Sequence, residues 1–172
     1  VRYNQEAINR GCEIISFSRQ VNRLAEILAS GTDTVNLVPI IDKLRSGSVK
    51  YFKDYNAPTD QKLMAAMLEM YYKDVPANQQ PAYLKEVLLK HKGSFAPYAK
   101  MVFEKSIFAS QEKFEAFLEN PKLKVLAKDP VWILQQNFSE NAAKIEATLK
   151  PSHDLLTAGR RSFVKGLREM QP

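Results

Sequence analysis

Apolar residues recur at intervals of three and four along nearly the whole chain, interrupted only at proline, glycine or an Asx residue. That spacing matches one face of an α-helix, and no stretch shows the period-two alternation and tight turn of a hairpin. Over 4–30 the stripe runs Ile8, Cys12, Ile15, Leu24 and Leu28, widened by Ile14, Phe17 and Val21, with Gly31 as its stop. A second helix is predicted over 36–55, with Leu37, Ile40, Ile41, Leu44 and Phe52 inward. Its Ser46-Gly47-Ser48 triplet weakens it, since an interior glycine costs about 1 kcal/mol relative to alanine.

Downstream, the stops and starts are chemical. Asn56-Ala57-Pro58 breaks the chain, and Thr59 is placed to cap a helix carrying Leu63, Met67, Met70 and Tyr71, which Val75-Pro76 ends. Pro81 opens the next helix and Gly93 closes it. Ser94 starts another, with Tyr98, Val102 and Phe103 on one face, and Ser110 caps one bearing Phe114, Phe117 and Leu118. At Asn120-Pro121 and Asp129-Pro130 a side-chain oxygen is placed to accept a backbone N–H while the proline presets the first helical φ. The helix from Pro130 carries Leu134, Phe138, Ala142, Ile145 and Leu149; Pro151-Ser152 is expected to separate it from a last helix with Leu155, Leu156, Phe163, Val164, Leu167 and Met170. No internal repeat or low-complexity tract intervenes. The expected fold class is all-α, a multi-helix bundle of about eight or nine helices, with residues 1–172 as one domain.

Composition supports a packed core: 45% of residues are apolar, and a chain of 172 residues buries roughly 70% of its extended surface. A single cysteine, Cys12, leaves no intrachain disulfide to form. The net charge of +6 permits anionic partners without requiring them. Its densest cluster, Arg160-Arg161 with Lys165 and Arg168, alternates with Phe163, Val164 and Leu167, which reads as the solvated face of an amphipathic helix rather than a nucleic-acid footprint. No apolar run approaches the ~18 residues of a membrane span. The chain starts at Val1 rather than methionine and stops at Pro172 after a helical stretch, as expected of a segment cut from a larger protein.

The residues give no catalytic set. His91, within Lys90-His91-Lys92-Gly93, is expected at a helix C-terminus, and His153 in solvent; no Gly-x-Ser-x-Gly accompanies either. No His-x-x-x-His, Cys-x-x-Cys or Glu-x-x-His pair suggests a metal, and Asp54, Asp60 and Asp74 do not have calcium-loop spacing. A phosphate-cradling glycine loop is missing. Cys12 reads as a small core residue, and Met67-Leu68-Glu69-Met70-Tyr71-Tyr72 as core rather than a pocket lining. No catalytic, cofactor-binding or metal-binding residue is assigned, and no cofactor is expected.

The ordered series Asn120-Pro121, Asp129-Pro130, Arg160-Arg161 and Gly166-Leu167-Arg168-Glu169-Met170-Gln171-Pro172 resembles the helical domain of bacterial serine dipeptidyl aminopeptidases, the dipeptidyl-peptidase 7 and dipeptidyl-peptidase 11 family. Gly11-Cys12-Glu13, Phe52-Lys53-Asp54-Tyr55, Thr59-Asp60-Gln61-Lys62 and Lys105-Ser106-Ile107-Phe108 agree with it. The resemblance implies a helical lid inserted into a chymotrypsin-like double β-barrel that releases dipeptides from peptide N-termini in the periplasm or at the cell surface. The implied partners are peptide substrates and the barrel of the same chain. Catalytic triad, oxyanion hole and P1 preference would belong to that barrel. The family's amine-binding asparagine falls upstream of Val1, so no site residue carries over. The alternative from the residues alone is a free-standing helical adaptor that docks a partner on an apolar face; a nucleic-acid binder is a third, motivated only by charge.

Overall fold

The computed structural model of the chain describes residues 8, 10–31 and 37–169. Every regular element among them is helical: α1 (Glu13–Ser18), a 3-10 turn (Arg19–Val21), α2 (Asn22–Ser30), α3 (Leu37–Lys53) and α4 (Ala57–Asp74) come first. A 3-10 turn (Ala77–Gln79), α5 (Ala82–Lys90), α6 (Ala96–Lys105), a 3-10 turn (Ile107–Ala109), α7 (Gln111–Glu119), α8 (Leu123–Leu126) and α9 (Pro130–Glu169) complete the order. The short α1 lies at the centre, against α9 and the Ile107–Ala109 turn; α3 packs on α2 and α7, and α4 on α6.

One apolar core joins these elements. It includes Ile14, Ile15 and Phe17 of α1, Leu24 of α2, Met64, Leu68 and Tyr71 of α4, Tyr98 and Val102 of α6, and Leu134 and Phe138 of α9. Phe17 is its aromatic hub. It stacks on Tyr51 at 4.1 Å between ring centroids and meets Phe114 edge-on at 4.8 Å and Phe52 at 5.5 Å. Offset and edge-to-face pairs of this kind each add about 1 kcal/mol beyond area burial.

Several expected stops appear where the residues placed them. Gly31 caps α2 at φ 64°, a left-handed conformation that glycine adopts without Cβ strain. Past α5, Gly93 takes φ 81° and its N–H returns to the Leu88 carbonyl at 2.8 Å. Ser110 accepts from the Lys113 N–H and caps α7. The Ser46-Gly47-Ser48 triplet is helical throughout; Ser48 is buried and donates to the Arg45 carbonyl, while Gly47 lets Gln20 approach the helix.

Other expectations are corrected. The first helix is not continuous: Cys12 is extended (φ −90°, ψ 110°) and a new helix starts at Glu13. Asn56, not Thr59, caps α4, because its side-chain oxygen accepts the Thr59 N–H at 3.0 Å. Asn120 is the C-cap residue of α7 rather than an N-cap; α8 begins at Leu123, behind an extended Lys122. Within the methionine-rich run Leu68 and Tyr71 are buried, but Met70 faces out at 62% exposure. The largest correction is Pro151, which lies inside α9 rather than between two helices. Proline removes one backbone bond and strains the preceding turn, a cost of about 3 kcal/mol, yet Ala147, Leu149 and Lys150 before it and Leu155, Leu156 and Ala158 after it are strong helix formers. The predicted starts at 4 and 36, and Met170, lie outside the described residues.

Candidate functional site

Five of the sequence stretches that carry the family resemblance meet in space at two buried carboxyl groups. The first is Asp60 on α4, only 3% exposed. Its Oδ1 accepts the Glu13 N–H at 3.0 Å, and its Oδ2 accepts the Ile14 N–H at 2.8 Å and the Tyr55 hydroxyl at 3.0 Å. Those two N–H groups begin α1, where a helix has no internal acceptors to offer. Cys12, the residue in the N-cap position, gives no side-chain bond. Asp60 therefore caps α1 from another helix, which is why the first helix breaks at Cys12. Gly11 is part of the same joint: a Cβ there would come within 2.6 Å of the Met67 Cε. The Cys12 thiol points to the Met67 sulfur at 3.7 Å. Gly11-Cys12-Glu13, Tyr55 and Asp60 thus form one unit.

The second is Asp129, 4% exposed. Its Oδ1 accepts the Val131 and Trp132 N–H groups, at 2.9 and 3.1 Å, capping α9 with Pro130 at the first helical position. The Ser106 hydroxyl donates to the same oxygen, and the Ile107 N–H donates to Oδ2 at 2.8 Å. Ser106 in turn accepts the Phe108 N–H and caps the 3-10 turn. Lys105-Ser106-Ile107-Phe108 and Asp129-Pro130 are therefore also one unit, tying the end of α6 to the start of α9.

Burial keeps the thiol and the tyrosine hydroxyls around these joints protonated. Burial, with Asp60 nearby, pushes the Cys12 thiol up to about 12, so it carries no thiolate at neutral pH and behaves as a core residue. Burial lifts the Tyr51 and Tyr55 hydroxyls well above the ordinary tyrosine range, and Tyr71 to about 12. Asp129 is raised above 3.8 by burial, the largest influence, although the Ile107, Trp132, Ser106 and Val131 donors all pull it down.

The two histidines stay apart from this chemistry. His91 is the C-cap residue of α5, its ring edge-on to Tyr98 at 5.6 Å. His153 sits on the exposed half of α9, its Nδ1 3.6 Å from Glu146 Oε1 of the same helix. Among the described residues neither imidazole hydrogen-bonds a serine hydroxyl, and no cluster of three His, Cys, Asp or Glu side chains could hold a metal. No described helix is long and apolar enough to cross a membrane. The residues that sequence reasoning underrated are Asp60 and Ser106. Their signal was only a place in short motifs, because their partners lie dozens of residues away.

The sequence pattern of the peptidase S46 family matches residues 1–172. The chain is 30% identical over 167 residues to the Asp/Glu-specific dipeptidyl-peptidase of Porphyromonas gingivalis, covering 96% of this chain and 23% of that protein. It is 31% identical over 170 residues to dipeptidyl-peptidase 7 of the same organism, covering 90% of this chain and 24% of the relative. It therefore spans about a quarter of the length of these curated relatives. The fold resembles DPP11 of Porphyromonas endodontalis crystallised with the dipeptide Arg-Glu, with a TM-score of 0.67 at 25% identity over 98% of this chain and 24% of that one. A match along its whole length, joined to relatives at this identity, places the chain in the peptidase S46 family.

Proposed function

We propose that the chain is the helical lid of a longer serine dipeptidyl aminopeptidase, inserted into a chymotrypsin-like barrel that supplies the catalytic triad. The observation that carries this reading is coverage: 90–96% of the chain aligns with dipeptidyl-peptidases, over about a quarter of their length. The described residues support it by what they are built for. The buried carboxyls cap helices and the buried tyrosines and thiol stay protonated, so these groups hold a shape rather than a reaction. A stiff helical body suits an exopeptidase, which must block its cleft beyond the second substrate residue and exclude peptides without a free amino terminus. Acidic or hydrophobic preference would then be set elsewhere in the polypeptide, and the protein would work in the periplasm or at the cell surface.

The test is made on the full-length protein with peptides that differ only at the amino terminus. Release of dipeptides from free peptides, with N-acetylated copies left intact, is the expected result. Equal cleavage of both, or of neither, would refute the lid reading. Cell fractionation that recovers the protein only in the cytoplasm would refute the proposed location.

A further inference from the structure

Helix α9 is about 60 Å long at 1.5 Å per residue, and only its first part touches the bundle. Its apolar stripe does not stop where the bundle stops. Val131, Leu134 and Phe138 are buried, Ala142 and Ile145 half-buried, and Leu149, Leu156, Phe163 and Leu167 are exposed. At 100° per residue all nine fall within a sector of about 80°. From 146 to 169 every residue is exposed except Gly166, and Phe163 reaches 67%. Lys150, Arg161, Lys165 and Arg168 lie on the other side of the helix, so the two faces are chemically distinct.

We propose that this exposed half of α9 is a docking surface whose occupant is another α-helix of the same polypeptide, outside residues 1–172. The inference rests on the reading of the chain as a segment of a longer peptidase. Three features point to a helical occupant. Leu149, Leu156 and Phe163 are seven residues apart, the repeat of a helix-packing seam. Ser152, Gly159 and Gly166, also seven apart, run beside them as a row of small residues. A Cβ built at Gly159 or Gly166 meets nothing within 4 Å. Gly159 is the floor of an open hollow of about 410 Å³ walled by Leu155, Leu156, Arg160 and Phe163, and a large aliphatic side chain from a crossing helix fits there as a knob.

Stability argues for an occupant as well. Helices in proteins draw most of their stability from packing of an apolar face, and this half, which contains Pro151, Gly159 and Gly166, leaves that face uncovered. The two relatives above are about four times the length of this chain, so a protein of their size would hold ample polypeptide outside it. A tethered helix acts at high effective concentration and needs less buried area than a second copy would. Arg160, at the rim of the hollow, calls for a carboxylate or carbonyl on the covering helix, because a buried guanidinium must be paired.

The test is hydrogen exchange on the full-length protein, wild type and Gly159→Leu. Leucine favours helix over glycine, so on a free helix the substitution slows exchange; beneath a docked helix it pushes the partner off and speeds exchange. The expected result is that wild-type amides at 152–167 exchange as slowly as those at 134–145 at every protein concentration. Gly159→Leu should speed them on the order of tenfold or more, while Lys165→Leu on the opposite face leaves them unchanged. Fast wild-type exchange, or slower exchange in Gly159→Leu, would overturn the proposal. So would protection that disappears on dilution, as for a second copy, or that needs added anionic vesicles. Dipeptide release from the same samples separates the two claims. Release with unprotected amides refutes the docking alone, and protection without release refutes the peptidase reading alone.

Discussion

Asp60 and Asp129 perform the same task at two places: each takes up N–H groups at the start of a helix and joins segments distant in sequence. Removing such an acceptor leaves buried donors without partners, which is more costly than losing an average hydrogen bond. Asp60→Ala should therefore destabilise the fold by about 3 kcal/mol, measured as a lower midpoint of chemical unfolding. Asp60→Asn, which keeps one acceptor oxygen, should fall between. A loss under about 1 kcal/mol for the alanine variant would mean that α1 does not depend on this joint. Phe17→Ala empties the aromatic hub and should cost about 3–5 kcal/mol. Asp129 has the opposite pH sign to a surface salt-bridged carboxylate. Its folded form holds the proton to higher pH than its unfolded form, because burial raises it above 3.8. Its linked contribution to stability is thus full below that value and is lost as pH rises through the raised one. The stability advantage of wild type over Asp129→Asn should shrink as pH rises above the ordinary carboxylate range, and an advantage that grew with pH there would contradict the assignment.

At the scale of elements, what could be read from the sequence was what is decided locally. Gly31, Gly93, Ser110 and Asp129-Pro130 act through groups within a few residues of themselves, so their roles follow from chain order. The break at Cys12 could not be read that way, because its cause, Asp60, is 47 residues downstream. Pro151 failed for a different reason: a proline that usually ends a helix is outweighed by helix formers on both sides. In the 172 residues taken alone, where nothing covers the distal half of α9, Pro151→Ala should slow hydrogen exchange in the flanking turns while leaving the midpoint of global unfolding unchanged, since those turns lie beyond the core. A shift of the global midpoint by several degrees would show that the distal helix is part of the cooperative unit.

For the whole molecule, the all-α class was legible because helical periodicity fills the chain and strand signals do not. The site was legible only as motifs whose meaning needed three dimensions: Gly11-Cys12-Glu13 and Asp60 are one joint, Ser106 and Asp129 another. Periodicity carries no information about which distant carboxyl will cap which helix. If the segment is a lid that closes as a body, solution scattering of the full-length protein should show a smaller radius of gyration with a dipeptide bound. An unchanged radius would count against closure. The most direct test of the central claim compares dipeptide release by the full-length protein with release by a form lacking these 172 residues, its remaining fold verified by near-ultraviolet circular dichroism. The account requires that the complete protein release dipeptides and that the shortened, folded form lose this activity. Undiminished dipeptide release by the shortened form would contradict it.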